Sequence, residues 1–261
     1  MLEELQIRIH GAASLPTLIY LPGLHGDWTL VGDFRQHVAG QVRFVEFIYP
    51  RTLNWSLDDY AAAVEKALAQ HGITGGWLLG ESYGSQIAWN LIARRKFSAQ
   101  GLVLAGGFVK HPWPQGVRLM RAILDRIPAR VFVWLLFCFA KSAKFRYRHS
   151  PKTLANIGEF ISRRTQLDCQ AMQHRLGQIA EFDPRATARA TALPIFYLSG
   201  WLDPIVPWLP VRRWLRKNCP GLRGDKIIFT ADHNVLTTAP ARTARQILSW
   251  LRRKEFPVAA G

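Results

Sequence analysis

"WLLGESYGSQIAW", residues 77–89, places a serine between two glycines, directly after an apolar run and directly before a stretch with helical spacing. The run "GWLLG" reads as a short buried strand and "YGSQIAWNLIARRK" as a helix. Between them, Gly80, Ser82 and Gly84 form the pattern G-x-S-x-G. This is a sharp strand-to-helix turn in which a strained serine lifts its hydroxyl toward solvent. Without side chains at 80 and 84, neighbouring backbone can pass close by. By composition alone such a pattern arises in roughly one chain in ten of this length. The flanking strand and helix therefore carry the reading of Ser82 as a nucleophile, against that of an ordinary turn serine.

Working outward, the same alternation recurs. "LQIRIHG" (5–11) alternates like an exposed strand, while "PTLIYLPG" (16–23) and "RFVEFIYP" (43–50) are short apolar runs closed by proline. Ser56 precedes a helical pattern in which Leu57, Tyr60, Val64 and Leu68 share a face and Gly72 ends the helix. "GLVLAGG" (101–107) is the next strand, and "LPIFYLSG" (193–200) and "DKIIFT" (225–230) resume the series before a last amphipathic helix over "ARTARQILSWLRR". Repeated βαβ units with strands apolar on both faces predict an α/β fold, a mostly parallel central sheet flanked by helices. From 108 to 191 the alternation stops and the segments read as helices. This predicts a helical cap, 108–191, inserted into a core made of 1–107 and 192–261.

Composition bounds the function. The chain has 261 residues, 49% hydrophobic and 20% charged, which fits a globular protein and excludes a disordered one. The amino terminus, MLEELQIRIH, lacks the basic and apolar regions of a secretory signal, so export is not expected. The longest apolar run, "VFVWLLFCFA" (131–140), falls short of the roughly 20 residues of a membrane span, so no transmembrane segment is expected. Cys138, Cys169 and Cys219 show no paired spacing, which predicts neither a disulfide framework nor a metal site and makes a reducing cytoplasm the simplest location. The formal net charge is +16, and residues 107–191 hold 15 Lys and Arg against 5 Asp and Glu. Lys141, Lys144, Arg146, Arg148 and Lys152 cluster after the apolar run. They read either as a solvated face or as a site for an acidic partner or an anionic lipid surface. No nucleic-acid reader motif is present, and no nucleic-acid partner is expected.

A serine hydroxyl needs a base to accept its proton and an acid to orient that base. In this topology the order is serine, then Asp or Glu, then histidine. Asp203, in "YLSGWLDPIVP", follows the first strand after the insertion, and His233, in "FTADHNVL", follows the last strand; both fall in loops at the carboxyl ends of strands, where sheet topology puts functional residues. The bland alternatives are a capping aspartate before a proline and an ordinary loop histidine. The developing oxyanion requires two backbone N–H donors. Tyr83 follows the nucleophile and supplies one. Leu24, in "LPGLHGD", supplies the other, because Pro22-Gly23 ends the strand and frees the next amide; a shifted register would use Asp27 instead. His25 is a candidate pocket residue. Trp134, Leu135 and Phe139, with Val131, Val117, Met120 and Leu124, are candidates for the pocket wall or for plain packing within the insertion.

These stretches, strand-"LPGLHGD", "GESYGS", "SGWLDPIVP" and "ADHN", resemble the α/β-hydrolase superfamily in order and spacing, and the likeness covers nearly the whole chain outside the insertion. The resemblance implies Ser82 as nucleophile, Asp203 as acid and His233 as base. The oxyanion stretch departs from the common His-Gly turn by showing Pro-Gly. The LPG-x-x-G loop and GES elbow also look like a bacterial subgroup related to the hydrolase-like part of plant phytyl ester synthases. Haloalkane dehalogenases of this fold carry aspartate at the elbow, which this chain does not. The expected function is a cofactor-free serine hydrolase acting on a small-molecule carboxylic ester with an apolar acyl or alcohol part. An acyltransferase or an acyl-carrier thioesterase or methyl esterase would use the same residues. The basic cluster would then dock an acidic acyl carrier, as in the pimeloyl-carrier methyl esterases. A non-catalytic binding protein on this fold is the alternative from another class, and an intact serine, histidine and aspartate argues against it.

Overall fold

The computed structural model describes residues 4–124, 126, 154–155, 158–159 and 165–253. Among these, seven strands form one sheet: β1 (Gln6–His10), β2 (Thr17–Leu21), β3 (Arg43–Ile48), β4 (Gly75–Glu81), β5 (Ser98–Ala105), β6 (Ile195–Gly200) and β7 (Leu222–Ile228). Their order is β1-β3-β2-β4-β5-β6-β7. β1 runs antiparallel to β3 and every other neighbouring pair is parallel. This is the expected α/β architecture.

Alternation of side chains along the strands explains why the inner strands are apolar throughout. Ile19, Leu21, Val45 and Phe47 join a buried cluster with Tyr60 and Val64 of α2 (Leu57–Gln70) and with Ile87 and Trp89 of α3 (Gly84–Arg94). Their neighbours Leu18, Tyr20 and Phe44 belong to a second cluster, on the other face. It is completed by Phe34 and Val38 of α1 (Gly32–Val38). Both faces are thus covered. The start of α2 is held by the Ser56–Asp59 capping box, in which each side chain bonds the other's backbone N–H.

Some elements depart from the sequence reading. β7 begins at Leu222 rather than Asp225, because it is an edge strand bonded only to β6, where Arg223, which is exposed, and Asp225, whose carboxylate pairs with Arg212 and Arg216, need not be apolar. A helix over Trp208–Asn218 was not read from the sequence, since prolines punctuate its start. Pro210 lies in the first turn, where a backbone N–H has no partner to lose.

Helices α4 (Pro114–Leu124), α5 (Gln166–Glu181) and α6 (Arg185–Ala190) fall between β5 and β6. α4 and α5 pack against each other. Thr165 and Asp168 form a capping box at the start of α5, and Arg51, after β3, reaches the same Asp168 carboxylate at 2.6 Å. After α7 (Trp208–Asn218) come α8 (Val235–Thr238) and α9 (Pro240–Leu251), and α9 lends Ile247 and Trp250 to the second cluster. The candidates Val131, Trp134, Leu135 and Phe139, the side chain of Leu124, and the basic cluster Lys141, Lys144, Arg146, Arg148 and Lys152 lie outside the described residues. No helix among the described residues is long and apolar enough to cross a membrane.

Adjacent parallel strands bring their carboxyl-end loops together, which is where the fold gathers chemistry. Ser82 follows β4, Asp203 follows β6 and His233 follows β7. Backbone bonds stitch these loops to one another: Ser82 N–H to the Ala105 carbonyl at 3.1 Å, Gly106 N–H to Leu198 at 2.7 Å, and Leu202 N–H to Ala231 at 3.1 Å.

Candidate active site

Ser82 adopts φ 49°, a left-handed conformation that costs a non-glycine residue on the order of 1 kcal/mol or more. The surroundings hold it there. A Cβ on Gly84 would stand 2.0 Å from the Leu21 carbonyl oxygen, and one on Gly80 would stand 2.8 Å from Ser85 Cα, so only glycine fits at either position. Ser85 Oγ donates to the Ser82 carbonyl at 2.6 Å and accepts from Phe108 N–H at 3.2 Å, which ties the elbow to the loop after β5.

The three predicted side chains meet. His233 Nε2 lies 2.8 Å from Ser82 Oγ, and His233 Nδ1 lies 2.8 Å from Asp203 Oδ2. A carboxylate can only accept, so Nδ1 bears the imidazole proton and Nε2 is left to accept from the serine hydroxyl. The other Asp203 oxygen accepts from the N–H groups of Ile205 and Val206, each at 2.9 Å. The carboxylate is therefore fixed by its own loop, independently of the histidine. Burial alone would push the His233 imidazolium down. The Asp203 carboxylate outweighs this by hydrogen bond and by charge, with Glu81 and Asp232 adding to it, and the pKa stands above the ordinary histidine value.

Glu81, one residue before the serine, was not singled out in the sequence. It is 1% exposed and accepts a hydrogen bond from the Tyr20 hydroxyl. Burial pushes its carboxyl up to about 7, against the opposing pull of Tyr20 and His233. His111 was also passed over, as a histidine of the insertion. Its ring bridges Ile205 O at 3.2 Å and Trp113 N–H at 3.2 Å, so it ties the Asp203 loop to the approach to α4. Burial holds its pKa below the usual value. Nothing in the sequence distinguishes His111 from a surface histidine.

Gly23 to Gly26 form a turn closed by Gly26 N–H to the Gly23 carbonyl at 3.0 Å. Among the described residues, neither the Leu24 N–H nor the Tyr83 N–H is spent on another group. Both amides belong to loops that border Ser82.

A cavity of about 440 Å³ opens beside Ser82 and His233. Val117 and Met120 of α4 and His25, all named from sequence as pocket candidates, line it, and so does Leu24. Its wall also includes Trp113, Ile205 and, from α5, Met172, Leu176 and Ile179, which were missed although the 172/176/179 spacing marks one helix face. Its described lining contains no lysine or arginine. Among the described residues, no group of three or more His, Cys, Asp or Glu could hold a metal ion.

The Hydrolase_4 model, described as serine aminopeptidase, S33, matches residues 46–237. The chain belongs to this family. Its fold and membership make it a hydrolase of the α/β-hydrolase superfamily. A curated relative, 2-succinyl-6-hydroxy-2,4-cyclohexadiene-1-carboxylate synthase of Klebsiella pneumoniae, is 24% identical over 222 residues, 74% of this chain and 80% of that protein. Among solved structures, an esterase of Thermogutta terrifontis with malate bound matches at TM-score 0.77 and 18% identity, over 95% of this chain and 93% of that one. An enol-lactonase of Burkholderia xenovorans matches at TM-score 0.76 and 16% identity, over 95% and 96%. At such identities these two likenesses establish the shared fold alone. The Hydrolase_4 match spans Ser82, Asp203 and His233 together.

Proposed function

We propose that this Hydrolase_4 member is a serine esterase that hydrolyses a carboxylic ester with an apolar acyl or alcohol part. The observation that carries this reading is the hydrogen-bonded chain from Asp203 through His233 to Ser82, opening into a cavity lined by Val117, Met120, Met172, Leu176 and Ile179. The likeness of the LPGLHGD loop and GES elbow to the hydrolase-like part of plant phytyl ester synthases supports the same substrate class.

In the proposed mechanism Ser82 Oγ attacks the ester carbonyl carbon as His233 Nε2 takes its proton. The carbonyl oxygen becomes an oxyanion, received by the N–H groups of Leu24 and Tyr83. Asp203 steadies the imidazolium through Nδ1–H. His233 then returns the proton to the departing alkoxide, leaving the acyl group on Ser82. Water attacks that acyl-enzyme, gives its proton to His233, and the acid leaves as the Ser82 hydroxyl re-forms. The helices between β5 and β6 act as a cap over the cavity, with Val117, Met120 and Leu176 against the apolar chain.

Hydrolysis of p-nitrophenyl esters of increasing acyl length, with wild type beside Ser82→Ala, tests the reading, and aminoacyl p-nitroanilides serve as the peptidase comparison. Turnover of esters that disappears in the variant is expected, with an optimum longer than acetate. Turnover of the anilides alone would overturn the ester assignment. A competing alcohol in the same assay separates hydrolysis from acyl transfer by its ester product.

A further inference from the structure

Helix α5 presents two adjacent stripes to two different places. Met172, Leu176 and Ile179 face the cavity. On the neighbouring stripe, Arg175 and Gln178 reach toward the loops that carry Leu24 and Tyr83. Arg175 is 2% exposed, and its guanidinium makes its polar contacts with neutral groups: Nη1 donates to the Leu24 carbonyl at 3.0 Å, Nη2 to the Pro50 carbonyl at 3.0 Å, and Nε approaches the Tyr60 hydroxyl at 3.5 Å. The rings of Tyr49 and Tyr60 lie 5.5 and 5.8 Å from its central carbon. Burying a guanidinium on carbonyls and ring faces is expensive, and an aliphatic residue would pack a purely structural position at less cost.

What Arg175 holds is specific. The Gly23–Gly26 turn is fixed on the core side by Tyr49, whose N–H donates to the Gly26 carbonyl at 2.8 Å and whose hydroxyl donates to Pro22 at 3.3 Å. The Leu24 carbonyl is held from α5 instead. The guanidinium fills the space above Gly26, where a Cβ would come within 2.4 Å of Nη1. One helical turn on, Gln178 Oε1 accepts from the Tyr83 hydroxyl at 2.5 Å, and its amide nitrogen donates to the Trp55 carbonyl. The same helix therefore bonds both residues whose amides are free beside Ser82.

We propose that α5 is the positioning element of the oxyanion hole: Arg175 sets Leu24 and Gln178 sets Tyr83, so the helix that receives the apolar chain also aims the two amides at the carbonyl oxygen. This rests on the serine-esterase reading. Neither side chain touches the reacting atoms: Arg175 acts through the Leu24 backbone carbonyl, and Gln178 acts through the Tyr83 side-chain hydroxyl, which anchors the ring of the residue whose amide faces the site.

The test compares Arg175→Met, Arg175→Lys and Gln178→Leu with wild type, each referred to its active fraction by fluorophosphonate titration at completion. Two inhibitors of equal chain length are used: an alkyl trifluoromethyl ketone, which adds Ser82 and places an oxyanion in the hole, and the matching carbinol, which fills the cavity only. In Arg175→Met, kcat is expected to fall roughly 10- to 100-fold and the ketone Ki to weaken by a similar factor. KM and the carbinol Ki should stay within about twofold, because the cavity stripe is untouched. Arg175→Lys should recover part of the loss. Gln178→Leu, at a less buried position, should show the same split to a smaller degree and keeps the test decisive if Arg175→Met does not fold. Equal weakening of both inhibitors, or unchanged ketone affinity per active site, would overturn the proposal. Failure of the fluorophosphonate to label wild-type Ser82 at all would instead strike the serine-esterase reading beneath it.

Discussion

Glu81 offers a sharp test, because it is a buried carboxyl set beside the proposed catalytic serine. Oε2 accepts from the Tyr20 hydroxyl, and Oε1 has no partner among the described residues. The rise from 4.5 to about 7 means that the folded chain binds this proton more tightly than the unfolded chain does. At about 1.4 kcal/mol per pH unit this amounts to about 3 kcal/mol. The sign follows directly. The stability contributed by the bound proton is fully present below pH 4.5, declines across the interval, and is lost once the pH has risen through about 7. Glu81→Gln keeps the shape and removes the titration. The difference in melting temperature, variant minus wild type, should therefore climb between pH 4.5 and pH 8. At roughly 2–4 °C per kcal/mol the climb is about 6–12 °C. Differential scanning calorimetry across this range measures it. A difference that stays flat within about 2 °C would refute the reasoning, since Glu81 would then ionise as easily folded as unfolded. Tyr20→Phe removes the donor that favours the ionised form and should move the climb to higher pH.

Other expectations concern the site itself. For kcat/KM the acid limb should lie above the ordinary histidine value, because only neutral His233 can accept the serine proton, and Glu81→Gln should move that limb to lower pH by removing one of the anions that raise it; a pH-rate profile on a short ester reads both. Asp203→Asn should lower kcat by about 10⁴ with little loss of folding, since the amide oxygen can still accept from Ile205 and Val206 while His233 loses its tautomer control. Val117→Phe, on the α4 wall of the cavity, should shift the preferred acyl chain to shorter lengths while leaving acetate turnover within a few-fold.

Most of the sheet is legible in the sequence because its inner strands are buried on both faces and so appear as unbroken apolar runs between turn residues. The exceptions obey the same physics. The first half of β7 is half-exposed at an edge and carries charges, and the start of α7 hides behind prolines. The elbow is legible because a left-handed serine crowded by Leu21 and Ser85 demands glycine at 80 and 84. Asp203 and His233 are legible from their places after β6 and β7. Glu81, His111, Arg175 and Gln178 are not. Each takes its role from partners far away in the chain, such as Tyr20, Ile205, Leu24 and Tyr83, and local sequence gives no sign of those contacts. The cavity wall lies between: the 172/176/179 spacing shows an apolar face on α5, but only packing reveals that it faces Ser82.

The most direct measurement is peptide mass spectrometry of the protein after reaction with a fluorophosphonate, run with wild type, Ser82→Ala and His233→Ala. Activation of Ser82 by His233 predicts a single adduct on the peptide bearing Ser82, none in Ser82→Ala, and labelling slowed at least ~10³-fold in His233→Ala. An adduct on another residue, or labelling of Ser82 at an undiminished rate without His233, would contradict it.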